Sequence, residues 1–397
     1  MKKTALIAMA AVLCFAACQK DEGKALSPDK QKSYIQDVAI EAVEMLDIDN
    51  WRPQANIFVG SFGANGTLAN AEPDAELEKW AKGLENLQEL RLSAILGEFT
   101  VANGIVSRKD SDKLTLDYSI NEVLPCHAEI VIEDSETSVT IPAIEIDIES
   151  KEVVPAGIKP LSSTPEAEPA TIPFWIPKSI DARLSAAGEE GLAFHLDADV
   201  NLAGSEPTPN DTYSLKSTFT SGDYAISFGR AYYSPTEIEF SSSFKKGGTT
   251  ILESSIIANG ELKWLEDDGD YELDQAKSEG KVKVSASILG KVSVNGSADF
   301  SKYKKLIAGA SITSEDEARQ FAKNLEKCFD LYFSCKGSKQ ARLGFAYLGE
   351  EGIQAVIRFE DGSSYQLPEE YFNEESFTDL METSVKIFNK IEAGLGL

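Results

Sequence analysis

Apolar and polar residues alternate along most of this chain, and where alternation stops the apolar spacing becomes helical. A period of two puts successive side chains on opposite faces of a strand, whereas steps of three and four place them on one helix face. Leu114, Leu116, Tyr118 and Ile120 alternate with Thr115, Asp117 and Ser119, which predicts a strand with one face in water. Residues 129–133 and 144–149 repeat the pattern. Further on, Phe194, Leu196, Ala198, Val200 and Leu202 point one way, and His195, Asp197, Asp199 and Asn201 the other. Strands continue through 213–219, 224–228 and 238–244, with turn signals at 221–223, 234–235 and 246–248. Asn259-Gly260 and Asn295-Gly296 read as hairpin turns. After a glycine-punctuated stretch at 56–70, read as strand and turn, such even spacing predicts an antiparallel meander.

Helices interrupt this pattern. Ser27-Pro28-Asp29 opens one, with a hydroxyl N-cap, proline at N1 and an acid near the positive helix end. Ile35, Val38, Ala39, Ala42, Val43 and Leu46 then form its apolar face. A second is predicted over 73–92, carrying Leu77, Trp80, Ala81, Leu84 and Leu87. The capping box Ser314-x-x-Glu317 opens a third, with Ala318, Phe321, Ala322, Leu325, Cys328 and Phe329 on one side. Strands at 342–347 and 353–359 follow, and Asn373 caps a last helix bearing Phe377, Leu380, Met381, Ser384, Phe388 and Ile391. Each helix has a single apolar face, so each should cover a sheet face. The expected class is α+β, predominantly antiparallel β (a wide meander sheet, a sandwich or a partial barrel) covered by a few amphipathic helices. Six prolines within 151–177 make that segment an extended connector, dividing an N-terminal helix and β region (28–150) from a β-rich region with two covering helices (178–397).

The N-terminus departs from all of this. Lys2 and Lys3 precede an apolar run over 5–17, shorter than the ~20 residues a membrane helix needs. A charged start, a short apolar core and the small pair Ala16-Ala17 mark an export signal. With Cys18 directly after them, this stretch resembles the lipobox of bacterial lipoproteins, with Phe15 where the pattern most often has Leu. The resemblance implies a signal peptide over 1–17, acylation of Cys18 and a polar tether over 18–27. Gln19-Lys20-Asp21-Glu22-Gly23 is similar to the acidic export signal of Bacteroidetes surface lipoproteins, which implies an outer-membrane, lipid-anchored, cell-surface location. Residues 213–260 also look like β-rich lipoproteins of gut Bacteroidetes, a likeness of pattern without a shared motif.

Composition narrows the partners. Of 397 residues, 42% are hydrophobic, which supports a real core and excludes wholesale disorder. The formal charge is −27, and removal of residues 1–17 takes two lysines and no acid, leaving −29. Such a charge repels nucleic-acid phosphates and anionic head groups. The expected partners are therefore the membrane through the N-terminal lipid only, no nucleic acid, and an envelope protein or glycan. Of five cysteines, Cys14 leaves with the signal and Cys18 is spent on lipid. Cys328 and Cys335, seven apart, are the candidate disulfide among the remaining three, with three buried free thiols as the alternative.

Candidate chemistry is sparse. His195-x-Asp197-x-Asp199 places an imidazole and two carboxylates on one strand face, roughly 6.5–7 Å apart, where a cation would need ligands from a further element. A solvated strand face is the plainer reading. Asp267, Asp268 and Asp270 crowd a glycine turn that offers calcium its oxygen ligands, although without EF-hand spacing, and Asp-Gly also simply makes a hairpin turn. No other cofactor is expected. Phe174 and Trp175, stiffened by Pro173 and Pro177, could stack on a sugar ring or pack on a neighbouring surface, and Tyr232-Tyr233 beside Arg230 offer the same pair of readings. Catalytic residues are not indicated: no G-x-S-x-G elbow occurs, and Cys126 and His127 fall on opposite faces of a strand. The expectation is a non-enzymatic, lipid-anchored envelope protein that binds or scaffolds. A surface glycan or peptide hydrolase and a carrier of lipid or another hydrophobic ligand are the alternatives.

Overall fold

The computed structural model describes residues 25–46, 48–63, 65–84, 88–142, 144–147, 152–155, 171–204, 208–261, 263–267, 270–273 and 279–395. The stretch expected to be a signal peptide, Cys14, Cys18 and most of the expected tether lie outside them, as does the middle of the proline-rich segment. The chain divides into two compact units, one of Met1–Ile48 with Asp223–Leu397 and the other of Asp49–Gly222. The class is α+β with antiparallel β dominant, as the alternation predicts.

The first helix, α1 (Pro28–Glu44), belongs to the former unit; Ser27 stands at its N-cap in extended conformation without a side-chain capping bond. The unit Asp49–Gly222 contains α2 (Ile48–Phe62), β1 (Glu72–Pro73), α3 (Ala75–Leu84), β2 (Leu90–Arg91), β3 (Gly97–Ala102), β4 (Ile105–Lys109), β5 (Leu114–Ile120) and β6 (Leu124–Pro142). It continues with β7 (Ile144–Asp147), β8 (Glu152–Pro155), β9 (Thr171–Ala186), β10 (Glu189–Asn201) and β11 (Thr212–Ser221). Its sheet runs β1-β4-β3-β5-β6-β9-β10-β11; the β1–β4 and β3–β5 pairs are parallel and the rest antiparallel. The short β2 runs parallel to the start of β9, while β7 and β8 form a separate hairpin. Residues 151–177 therefore fall inside this unit, and 171–177 already form part of β9. Pro173 and Pro177 sit opposite Thr140 and Asp134, with the register shifting beside Asp134.

In the other unit the strands are β12 (Tyr224–Ser234), β13 (Glu237–Lys246), β14 (Thr249–Glu261), β15 (Trp264–Asp267), β16 (Asp270–Leu273), β17 (Glu279–Ile288) and β18 (Val292–Asp299). After α4 (Phe300–Ala308) and α5 (Glu315–Glu326) come β19 (Phe329–Cys335), β20 (Ser338–Tyr347), β21 (Ile353–Phe359), α6 (Pro368–Tyr371) and α7 (Thr378–Leu395). The order β12-β13-β14-β17-β18-β19-β20-β21 is an antiparallel meander, from which β15–β16 leaves as a hairpin. Ile35, Val38, Ala39 and Ala42 of α1 pack with Ile288, Val292, Phe333, Ala341 and Ile357 of the sheet, and Tyr371, Phe377 and Leu380 close the cluster. The capping box at α5 forms as predicted, and the Asn373 side chain accepts from Ser376 N–H.

Three local readings are corrected. Asn259-Gly260 and Asn295-Gly296 are not turns but lie within β14 and β18. Glycine is needed there because a Cβ would come within 1.9 Å of the Glu279 carbonyl at Gly260 and 1.8 Å of the Asp330 carbonyl at Gly296. The helix expected over 73–92 is the shorter α3, and Leu90–Arg91 pair as a strand instead. The stretch at 56–70 is not strand: its first part is the end of α2. Gly60 is the reason, since a Cβ there would meet Ile120 Cγ2 at 2.7 Å. A missing side chain, not a turn, is what this position supplies.

Gly60→Leu should therefore lower stability by about 1–3 kcal/mol through overpacking, although Leu is the better helix former. Urea denaturation checks this, and Ile120→Ala in the same chain should recover part of the loss.

Candidate functional site

The apolar face of the Asp49–Gly222 sheet is built in rows. Directly paired residues share a face, so Leu114, Ile130, Ala182, Phe194 and Phe219 form one row across β5, β6, β9, β10 and β11. The neighbouring row is Leu116, Ala128, Leu184 and Leu192, and the next begins with Tyr118, Cys126 and Ala186. Helix α2 covers only the last of these fully. Its Ile57 packs with Tyr118, Ile120, Cys126, Leu184 and Ala186, and Gly60 lets its backbone descend onto Ile120. Buried Ser61 donates to the Ile57 carbonyl and lies 2.6 Å from the Tyr118 hydroxyl, so its hydroxyl is satisfied. Burial pushes the Tyr118 phenol up to about 12, against the lowering effect of Ser61.

Beyond this seam the helix turns Phe58 and Phe62 outward as an i,i+4 pair with ring centroids 5.4 Å apart. They are 55% and 54% exposed, and Phe194 and Phe219 on the sheet are exposed as well. Between helix and sheet lies a groove of about 220 Å³, bounded by Phe58, Phe62, Leu116, Ile130, Phe194 and Phe219, with no polar surface in it. Apolar cavities of about 150 Å³ hold a benzene-sized guest. The space suits one ring or a segment of alkyl chain, and its lining offers nothing to a polar one.

The opposite face of the same sheet carries the charges. His195 spends both ring nitrogens: Nδ1 lies 2.7 Å from Asp181 and Nε2 3.1 Å from Asp197. Both nitrogens donate only in the imidazolium form. The hydrogen bonds its ring donates to Asp181 and then to Asp197 raise the His195 pKa. Asp199 is placed two residues further along the strand, opposite Ser214. His127 makes a similar pair with Asp117 at 2.7 Å, on an exposed surface. Among the described residues no group of three or more His, Cys, Asp or Glu is disposed to hold a metal ion.

The aromatic candidates are engaged with protein. Trp175 donates its indole N–H to Glu89 at 2.7 Å, and the Arg91 guanidinium lies 3.8 Å from its ring. Phe174 is half-buried opposite Val139 and Leu90. Arg230 stacks at 4.0 Å on Tyr232 while paired to Glu239, and Tyr233 packs edge-on against Trp264. Asp267 and Asp270 pair across the β15–β16 hairpin, and Asp268 lies outside the described residues. The Cys328–Cys335 disulfide is corrected: all three described cysteines are buried free thiols. Cys328 directly precedes β19 and Cys335 ends it, about 23 Å apart at the strand rise, whereas a disulfide needs Cα atoms ~4.4–6.8 Å apart. Burial pushes the Cys335 thiol up to about 12.

The groove was not read from the sequence. Phe194 and Phe219 were visible as strand residues, but Phe58 and Phe62 fell in a stretch read as strand and turn. The usable signal was Ile57, Gly60, Ser61 and Gly63–Gly66 as the small or inward side of a helix that ends there. No protein-family model matches the chain, and no curated protein or solved structure is significantly similar to it.

The raised His195 pKa contributes stability that is fully present below the unfolded value of ~6.5 and is lost as pH rises through the folded value. An NMR titration should show the His195 ring titrating above ~6.5, and lower in Asp181→Asn. With the side chain 44% exposed, solvent screens the pair and the stability effect is small. For the thiols, alkylation in denaturant without reductant should label Cys126, Cys328 and Cys335 alike; protection of a pair would restore the disulfide.

Proposed function

We propose that this is a lipid-anchored protein of the cell envelope, held at the outer face through Cys18, that binds a ligand by an apolar group and performs no chemistry on it. The observation that carries the binding half is the polar-free groove between α2 and the sheet, walled by four exposed phenylalanines. Exposed apolar surface gathered at one concave place is costly to keep unless something occupies it. Both ring nitrogens of His195 lie against carboxylates on an open sheet face, which leaves this imidazole none for a nucleophile and favours binding over hydrolysis. Trp175 and Tyr232, candidates for glycan stacking, already carry an arginine on the ring, and Tyr233 packs on Trp264, which favours an apolar ligand over a sugar. The location rests on the lipobox-like stretch around Cys18. No helix among the described residues is long and apolar enough to cross a membrane.

Two measurements test the halves separately. Labelled fatty acid should enter the wild-type chain and not Cys18→Ala; label on the variant removes the anchor. A fluorescent long-chain fatty acid should bind the mature chain saturably, and Phe62→Ser should weaken it about tenfold or more, the loss of one aromatic contact. Unchanged affinity in both Phe62→Ser and Phe194→Ser would rule out the groove.

A further inference from the structure

The chain is strongly acidic, yet one stretch reverses sign. Within 281–305 stand Lys281, Lys283, Lys291, Lys302, Lys304 and Lys305 against a single acid, Asp299, in a protein whose formal charge is −27. Three of these lysines fall on α4, which contains no acid and buries none of its residues. Its N-cap is Asp299, whose side chain accepts from Lys302 N–H and lies 3.5 Å from the ammonium groups of Lys281 and Lys302. Tyr303 rests edge-on against Phe329 and fixes the helix to the sheet. Phe300 and Ile307 stay 43% and 47% exposed, and Ile312 in the segment after the helix is exposed too.

We propose that α4 and the segment through Ile312 form a second membrane contact, seated on an anionic lipid surface. The occupant follows from the pairing of two features at one place. Lysines alone would suit any polyanion, but exposed Phe300, Ile307 and Ile312 among them match the interface, where aliphatic and aromatic groups enter below the head groups. Net repulsion from the rest of the chain does not prevent this, because charges beyond a Debye length of ~8 Å are largely screened while the lysines touch the surface. The acids at α4 are its own N-cap Asp299, paired with Lys281 and Lys302, and Glu279, beside the Gly280 N–H that donates to Ser301 Oγ. Lys291 is paired with Glu41, and the next acids along the chain are in the first turn of α5. There Glu317 is held by Thr313 and Ser314, and Glu315 is paired with Arg319.

The inference rests on the envelope location and adds to it: beside the lipid on Cys18, a basic amphipathic segment is a second, independent contact with the same kind of surface. The geometry permits both at once. Leu26 N–H is tied to Gln340 near the Cys335 end of β19, about 23 Å from the end of β18 where α4 begins. Eight residues of chain, from Cys18 to Leu26, reach at most about 28 Å.

The test uses the mature chain with Cys18→Ser, which has no acyl group, so failure here leaves the anchor itself untouched. Co-sedimentation should be at least about tenfold stronger with vesicles of equal parts phosphatidylcholine and phosphatidylglycerol than with phosphatidylcholine alone, and should fall with salt. Lys305→Glu and Ile307→Ser should each weaken it severalfold. Ile312→Trp, placed in an exposed segment where folding is not at stake, should shift its emission to the blue on the anionic vesicles. Equal binding to both vesicles, no emission shift, or retention on a soluble polyanion without vesicle binding would each overturn the proposal.

Discussion

An antiparallel sheet with one apolar face has to lay that face on something, and this chain has more such face than helix to cover it. In the unit Asp49–Gly222 the burden falls on α2. Ile57 and Ser61 turn inward, Gly60 gives up its side chain to Ile120, and the row headed by Tyr118 is sealed. The row of Ile130, Ala182, Phe194 and Phe219 is not. In the other unit α1, α6 and α7 seal Val292, Phe333, Ala341 and Ile357, whereas Phe228, Phe240 and Ile256 on their strands remain exposed. The candidate binding surface is thus the unfinished part of the same burial that makes the core.

The polar face follows the opposite rule. Charges on it are paired across neighbouring strands: Asp117 with His127, Asp181 with His195, Lys178 with Glu133 and Arg230 with Glu239. Such exposed pairs are each worth little, on the order of 0–1 kcal/mol. Reaction centres are commonly built where environments drive pKa values apart in a cleft. The raised pKa of His195 comes instead from two aspartates on an open strand face, as expected of a solvated surface.

Much of the fold was legible in the sequence because its signals are local. Period-two alternation marked β5, β10, β11, β13, β20 and β21, and Ser314-x-x-Glu317 marked the start of α5 to the residue. The misread turns and the missed helix end share one reason: glycine has two uses. At 259–260 and 295–296 it reads as a turn but serves close approach between paired strands. At Gly60 it reads as a loop but serves helix-to-sheet contact, and Pro53 lies inside α2. The disulfide expectation failed on distance, since a strand and not a turn separates Cys328 from Cys335. The groove needs α2 and strands more than a hundred residues away, so no local pattern announces it.

The central claim is that the uncovered apolar face beside α2 receives an apolar ligand. Contacts between a bound long-chain fatty acid and side-chain methyls, read by NMR on the folded chain, test it most directly. The account predicts that cross-relaxation from the alkyl chain reaches Leu116, Ile130, Leu184 and Leu192, with the rings of Phe58 and Phe194 beside it. Contacts confined to Ile256 and the rings of Phe228 and Phe240, or spread without preference over the surface, would contradict it.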